Sequence, residues 1–299
     1  MTSSEYEALT GWVNDPEAVA AVLDTLPMPI MRDAAKNLAD SGKGKRQLLY
    51  LAVTKVVGTF PPYVAQAIGD CVSHGYRTCV DVVKCVEIDR GEAEEWKAET
   101  ATEPIYGGSR VQVGGGRIFG DGSVGAWAAD WVSKYGVVAR GKYGSIDLTQ
   151  YSGSVAKAYG RSGCPEALVT VAKEHPIKTV SQVSTYEEAR DAIYNGYPVA
   201  VCSNRGFRMS RDSEGFASPS GSWGHCMAFI GMDDEYKRPG LLCQNSWGQT
   251  WIDGPKRHDQ PDGSFWVDAT VANKMLAAGD SFALSQFEGY PSGNFVYDV

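Results

Sequence analysis

Apolar positions change their spacing part-way along the chain. The first stretch follows the helical repeat. Asp15-Pro16-Glu17 is a helix start, with Asp15 as N-cap and Pro16 in the first turn, and Ala18 to Leu26 continues it. Met31 to Leu38 reads as a second helix, ending at Ser41-Gly42-Lys43-Gly44. Lys45 to Val57 reads as a third, ending at Gly58 before Phe60-Pro61-Pro62 stops helix formation. Residues 1–60 therefore read as an N-terminal helical extension. A longer helix is expected from Cys71 to about Glu87, because Val72, Gly75, Cys79, Val82, Val83 and Val86 repeat at helical spacing and Asp70 suits the N-cap. The charged run Glu92 to Glu99 reads as a solvated face. Residues 106–125 are glycine-rich and read as an irregular, close-packed loop. Ala126 to Tyr135 is a further amphipathic helix closed by Gly136.

From about residue 178 the period becomes two. Lys178 to Val183 reads as a strand, and Thr185-Tyr186-Glu187-Glu188 is a capping box that opens a helix ending at Asn195-Gly196. Short strands follow at Pro198–Ser203, His225–Met232, Leu241–Trp247, Ser264–Asp268 and Phe282–Phe287, separated by Gly and Pro clusters as in an antiparallel sheet or barrel. Helices first and strands second is an α+β plan with two lobes.

Composition narrows the classes of function. Apolar residues are 43% and charged residues 21%, ordinary for a folded globular chain. A net charge of −8 without a basic stripe argues against nucleic acid or an anionic membrane surface as partner. The longest apolar run, Leu48 to Val57, is interrupted by Lys55, so no membrane span is expected. The first residues carry neither a basic n-region nor an apolar h-region, so no signal peptide is expected and a reduced compartment is the default. No phosphate loop and no zinc spacing occurs, so no metal and no cofactor is expected.

The seven cysteines (71, 79, 85, 164, 202, 226 and 243) cannot all pair, so at least one thiol is free. Cys79, Cys202, Cys226 and Cys243 fall on apolar faces or strands and read as small buried hydrophobes, whereas Cys164 falls in a loop and is expected to be exposed. Of four histidines, His175 and His258 read as surface residues, His74 as a helix neighbour of Cys71, and His225 as the start of a strand. Cys71, then His225, then Asn245 on the next strand is the order of a thiol nucleophile, its base and the group that orients the base. A thiol at a helix start faces the positive end of the macrodipole, which favours thiolate. By alternation Asn245 shares a face with Cys243 and Trp247, so Trp247 is placed to cover the His225–Asn245 bond from water.

Three segments together resemble the papain-like cysteine peptidases. They are Asn245-Ser246-Trp247-Gly248 followed by Trp251; the strand His225-Cys226-Met227-Ala228-Phe229-Ile230-Gly231; and Gln66 with Cys71 at a helix start. Cys71 and His225 are 154 residues apart, close to the roughly 130–150 of that family. Ile68-Gly69-Asp70-Cys71-Val72 lacks the family's preceding half-cystine and following Trp, and Gln66 stands one residue nearer the Cys than usual. This version also resembles papain-like domains encoded by bacteriophages, which implies a host-cell cytoplasm or a virion as its location.

The resemblance implies a papain-like two-lobe fold with residues 61–177 as a helical lobe carrying the nucleophile. Residues 178–299 would form an antiparallel, barrel-like β lobe carrying His225 and Asn245. It implies hydrolysis of peptide or isopeptide bonds in a peptide or protein substrate. Cys71 would attack, His225 shuttle the proton, Asn245 orient His225, and Gln66 with the Cys71 N–H hold the oxyanion. Gly114, Gly115, Gly116, Trp223 and Cys226 would line the cleft. The alternative is a structural or interaction protein, a virion component on the same fold, using residues 1–60 and the C-terminal Tyr297-Asp298-Val299 as subunit contacts. Acyl transfer is a third class, disfavoured because Asn stands where such enzymes commonly place Asp or His.

Overall fold

The structure, a computed structural model, describes residues 2–91, 95–293 and 295–298. Part of the Glu92–Glu99 run, and Val299 of the tail, lie outside the described residues. In chain order the elements are α1 (Ser3–Glu7), α2 (Pro16–Leu23), α3 (Met31–Ala34), β1 (Arg46–Leu48), α4 (Tyr50–Val57), α5 (Cys71–Asp89), α6 (Thr102–Gly107) and α7 (Gly125–Lys134). After them come β2 (Lys142–Tyr143), β3 (Ile146–Asp147), α8 (Gly153–Ser162), α9 (Glu166–Ala172), β4 (Thr179–Gln182) and α10 (Tyr186–Tyr194). The last part holds β5 (Val199–Arg211), β6 (Ala217–Asp233), β7 (Gly240–Gln244), β8 (Ser264–Asp268), α11 (Ala269–Leu276) and β9 (Phe282–Ser285).

Local chemistry accounts for several boundaries. Asp15 accepts from the Ala18 N–H at 2.9 Å and Pro16 opens α2, as its sequence suggests. Thr185 caps α10 through the Glu188 N–H, and the Glu188 carboxylate reaches back to the Ser184 N–H. The segment from Lys45 to Val57 is not one helix. Arg46–Leu48 is extended and pairs antiparallel with β6, Leu48 facing Gly231, before the chain turns into α4. Buried Gln47 explains the difference: its amide reaches the Tyr194 and Phe295 carbonyls and accepts from the Tyr297 N–H. Helix propensity yields there to sheet pairing and to satisfying a buried amide.

The seven-stranded antiparallel sheet runs β4-β9-β5-β6-β7-β8, with β1 added on β6. β5 and β6 form a long hairpin whose register shifts beyond Ser203–His225, so the hairpin bends away at that pair. Helix α5, which begins at Cys71, lies on β6. Its close approach occurs at Gly75, where an added Cβ would stand 2.9 Å from the Cys226 sulfur. Helix α6 packs on α5, α7 and α8, and α7 packs on α5, giving a helical lobe beside the β lobe with α5 between them. Asp280, just before β9, ties the lobes: it accepts from the Gly125 and Ala126 N–H groups at 2.7 and 2.6 Å and so caps α7. The glycine-rich stretch is less irregular than its composition suggests, because Gly108–Val113 continues α6 as a π-turn with Gly108 pressed on the Trp131 ring. The C-terminus is held within the chain, Leu48 N–H donating to the Tyr297 carbonyl and Arg46 pairing with Asp298. Among the described residues no helix is long and apolar enough to cross a membrane.

Candidate active site

Cys71 is the first residue of α5, and as a first-turn amide its N–H has no intrahelical acceptor. Asp70 stands at the N-cap but its carboxylate does not cap. It accepts from Tyr151 Oη at 3.0 Å, while the Asp70 carbonyl takes the Ser73 N–H and hydroxyl. The helix start was expected to hold a thiolate; here burial wins. Cys71 is fully buried, and burial, then the neighbouring Cys226 thiol, pushes its pKa up, with Asp70 adding to the rise. Hydrogen bonds from the Cys226 and Gly11 main chains pull the other way and are outweighed. The Cys226 contact places the sulfur beside the peptide that joins Cys226 to His225.

His225 and Asn245 form the second half of the site. His225 Nε2 and Asn245 Oδ1 are 2.8 Å apart, and Oδ1 also accepts from the Ser246 N–H at 2.7 Å. Turning the amide over would face two donors at Ser246, so Oδ1 is the acceptor and Nε2 carries the proton. The neutral ring then has a bare Nδ1, which is buried with no hydrogen-bond partner. Burial lowers the His225 pKa to about 4, against the raising effect of the Asn245 bond, with a small further lowering from His74. Strand β7 ends at Gln244, so Asn245 and Trp247 follow it in a turn rather than sharing a strand face. Trp247 nonetheless lies over His225, ring centroids 4.7 Å apart, and Trp223 packs on Trp247 at 4.6 Å.

Gln66 sits where its amide can meet a carbonyl oxygen, and it meets one. Its Nε2 donates to the Leu9 carbonyl at 2.7 Å and to the Ile68 carbonyl at 2.8 Å, while its Oε1 accepts from the Ser246 hydroxyl. Leu9 belongs to an N-terminal segment that runs through the seam. The Gly11 carbonyl accepts from the Ser123 N–H and the Val13 N–H donates to the Ser123 carbonyl, a parallel bridge. The Trp12 N–H donates to the Gly224 carbonyl at 2.8 Å, and Tyr6 stacks on Trp247 at 5.2 Å. These partners come from both lobes, so the segment lies between them and covers Cys71. Of residues 1–60, this piece covers the site, and Phe60 lines a pocket with Gln244 and Asn245.

The structure therefore gathers Cys71, His225, Asn245, Gln66, Trp247, Trp223 and Cys226. Gly114, Gly115 and Gly116 do not join them: Gly114 packs on the Trp127 ring, and Gly116 lines a separate cavity with Tyr106 and Arg110. The glycine-rich loop reaches the seam instead at Gly122 and Ser123, held there by Arg110, whose guanidinium donates to the Ile118, Gly120 and Gly122 carbonyls. Cys164 is buried rather than exposed, its N–H on Gln112 Oε1 at 3.1 Å. His258 is not a free surface residue; it pairs with Asp233 at 3.2 Å. All seven cysteines are unpaired and buried. Among the described residues no three His, Cys, Asp or Glu side chains gather so as to hold a metal ion. Sequence reasoning missed Tyr6, Leu9, Gly11, Trp12, Ser123 and Asp280. The signal was present in Leu9-Thr10-Gly11-Trp12-Val13, an apolar run with a central Gly in an otherwise polar leader.

Residues 119–255 match the family model described as papain family cysteine protease, a span that contains His225 and Asn245 and excludes Gln66 and Cys71. No curated protein sequence is recognisably similar to the chain. Solved structures are similar over nearly its whole length. Xylellain, a cysteine protease from Xylella fastidiosa, is 15% identical with a TM-score of 0.54, over 92% of this chain and 91% of that one. A procathepsin B from Trypanosoma congolense is 13% identical with a TM-score of 0.56, over 95% and 88%. A digestive procathepsin L 3 from Tenebrio molitor larval midgut is 14% identical with a TM-score of 0.52, over 94% and 77%. The fold is papain-like. The family model that matches residues 119–255 is one of cysteine proteases, and the match covers less than half of the chain.

Proposed function

We propose that this chain is a papain-like cysteine peptidase that hydrolyses peptide bonds through Cys71, His225 and Asn245, and that the described arrangement is its covered, resting form. The observation that carries the reading is the His225–Asn245 pair, which fixes the proton on Nε2 and leaves Nδ1 buried without a partner, while the main chain of Cys226, the next residue, meets the Cys71 sulfur. With the N-terminal segment displaced by a substrate, Nδ1 takes the thiol proton and the sulfur attacks the scissile carbonyl carbon. The Cys71 N–H and Gln66 Nε2 then hold the oxyanion, Gln66 having exchanged the Leu9 carbonyl for the substrate's. His225 returns the proton to the leaving amine, giving a thioester. Water, deprotonated by the same Nδ1, releases the acid and the thiol. Trp247 keeps the His225–Asn245 bond dry throughout, which strengthens it.

Residues 1–60 and the C-terminus, considered as subunit contacts, meet each other within the chain through Gln47, Arg46 and Asp298. That arrangement offers the virion reading no support of its own. The test is labelling with a thiol-directed peptidyl epoxide, read by intact mass, alongside hydrolysis of a denatured protein substrate. One adduct, absent in Cys71→Ser, with hydrolysis lost in the same variant, is expected. Hydrolysis that survives Cys71→Ser would overturn the reading, as would a folded protein whose adduct lies on another cysteine.

A further inference from the structure

The separate cavity between the glycine-rich loop and α8 has a volume of about 450 Å³ and is lined by Tyr106, Arg110, Phe119, Asp121, Lys157 and Arg161 among others. Its outer basic groups are reachable and free. Arg161 is exposed and makes no ion pair among the described residues. Lys157 keeps 50% of its side chain exposed, and the carboxylate nearest it, that of Asp121, stands 4.0 Å away. Arg110 lies behind them and is buried. Its guanidinium bonds only to the Ile118, Gly120, Gly122 and Gly160 carbonyls and the Tyr106 hydroxyl, so no carboxylate offsets its charge. Three cations thus face one carboxylate, in a chain whose net charge is −8. Such a cavity favours an anion.

The grip of Arg110 on three carbonyls fixes the loop, which turns at Gly116 and Gly120 with φ of 70° and 90°. Held this way, it presents Phe119 to solvent with 99% of its surface exposed, an apolar ring that gains only when something covers it. The loop then runs straight into the seam. An added Cβ on Gly69 would stand 3.1 Å from Asp121 Cβ and 2.9 Å from the Thr10 carbonyl oxygen, and one on Gly122 would stand 2.8 Å from the Gly11 carbonyl oxygen. Asp121 is therefore a wall shared by the cavity and the seam. We propose that the cavity is a specificity subsite that takes an acidic side chain of the polypeptide substrate, from a residue on the Ser123 side of the scissile bond. This rests on the peptidase reading. The acidic side chain reaches past Asp121, its carboxylate meets Lys157 and Arg161, and Phe119 covers its methylenes.

The experiment reads binding and turnover separately. Short labelled peptides, neutral except for one Glu placed at successive positions, are titrated by fluorescence anisotropy against the full chain carrying Cys71→Ser. The same peptides are given to the native chain as substrates. At one position Glu is expected to bind about 5-fold tighter than Gln, which is what two solvent-screened ion pairs supply together. The preference should vanish in the double variant Lys157→Gln, Arg161→Gln with an unchanged melting temperature, because both side chains are exposed, and it should shrink at high salt. Phe119→Ala should weaken the Glu and Gln peptides alike. In turnover the preference should sit in KM, with kcat the same for both peptides. The subsite is overturned if no Glu peptide binds, if peptides are cut with no position preferring Glu, or if the preference survives in the double variant. A Glu preference in binding that the double variant abolishes, with no hydrolysis by the native chain, upholds the subsite and overturns the peptidase reading instead.

Discussion

The indole Nε1 of Trp12 donates to Asp280 Oδ2 at 2.7 Å, joining the N-terminal segment to the residue that caps α7. Asp280 is fully buried, and burial pushes its pKa up to about 7 while its three donors hold it down. Trp12 is itself buried, so it anchors the segment both by area and by a hydrogen bond to an acid. Removing the anchor should release the cover. For Trp12→Ala the loss is about 3 kcal/mol, so peptidyl-epoxide labelling of Cys71 should speed up about 100-fold. Unchanged labelling of a folded variant would show that the segment does not limit access.

The catalytic assignment makes a graded prediction. Cys71→Ser and His225→Ala should each lower kcat/KM by at least about 10⁴-fold, since nucleophile and base act as one unit. Gln66→Ala should cost about 100-fold, and in kcat rather than KM, because the amide meets an oxygen that becomes charged only in the transition state. The split matters here, because Gln66 also holds the Leu9 carbonyl. A merely structural Gln66 would raise labelling of Cys71 without lowering the turnover of peptide substrates.

Much of the site was legible because it is local. Asn245-Ser246-Trp247 encodes its own geometry: the Ser246 N–H fixes the Asn245 amide and the adjacent Trp covers the ring that amide orients. Helix α5 was legible from its repeat, and Gly75 within that repeat marks where α5 touches β6. Long-range pairings were not. β1 reads as helix because its extended form depends on Gly231 and Tyr297, far along the chain. The electrostatics of Cys71 were misjudged for the same reason. A macrodipole is a local property, whereas the burial that overrides it is a product of the tertiary fold, which leaves Cys71 fully buried. Asp280 carries no motif, and only the fold brings it to α7 and Trp12.

Two buried groups should pull stability in opposite directions with pH. His225 has a folded pKa of about 4, below the unfolded value of roughly 6.5. Between these the unfolded chain binds the proton, so its contribution to the covered form is lost as pH falls through that window. Asp280, near 7 when folded and about 4 when unfolded, binds more protons in the folded form. Its contribution is therefore lost as pH rises from about 4 to about 7. Melting temperatures from pH 4 to 7 check both. Relative to the native chain, His225→Gln should lose less stability on acidification, and Asp280→Asn should lose less on going to neutral pH. Parallel curves for all three proteins would refute the assignment of either buried group.

Gly11 gives a cleaner way to lift the cover, because it has no side chain and meets Cys71 through its main chain alone. An added Cβ would stand 1.9 Å from the Gly69 carbonyl oxygen and 2.9 Å from Gly69 Cα. Both sides of that contact are main chain, so neither can rotate away. The Gly69 carbonyl cannot retreat far either, since Asp70 and Cys71 follow it directly into α5. In Gly11→Ala the segment must therefore rise from the seam. It gives up the Gly11 contact to the Cys71 sulfur and the Gly11–Ser123 hydrogen bond together. Residues from Asp15 onward keep their own cap and packing, so the loss should be limited to the segment's own anchoring, about 3 kcal/mol as for Trp12→Ala, and the melting temperature should fall by roughly 10 °C. Labelling of Cys71 should accelerate at least about 10-fold, and limited proteolysis should begin to cut before Asp15. If Gly11→Ala folds, keeps its segment protected and labels at the native rate, the close approach of Gly11 to Gly69 is not what keeps the thiol covered.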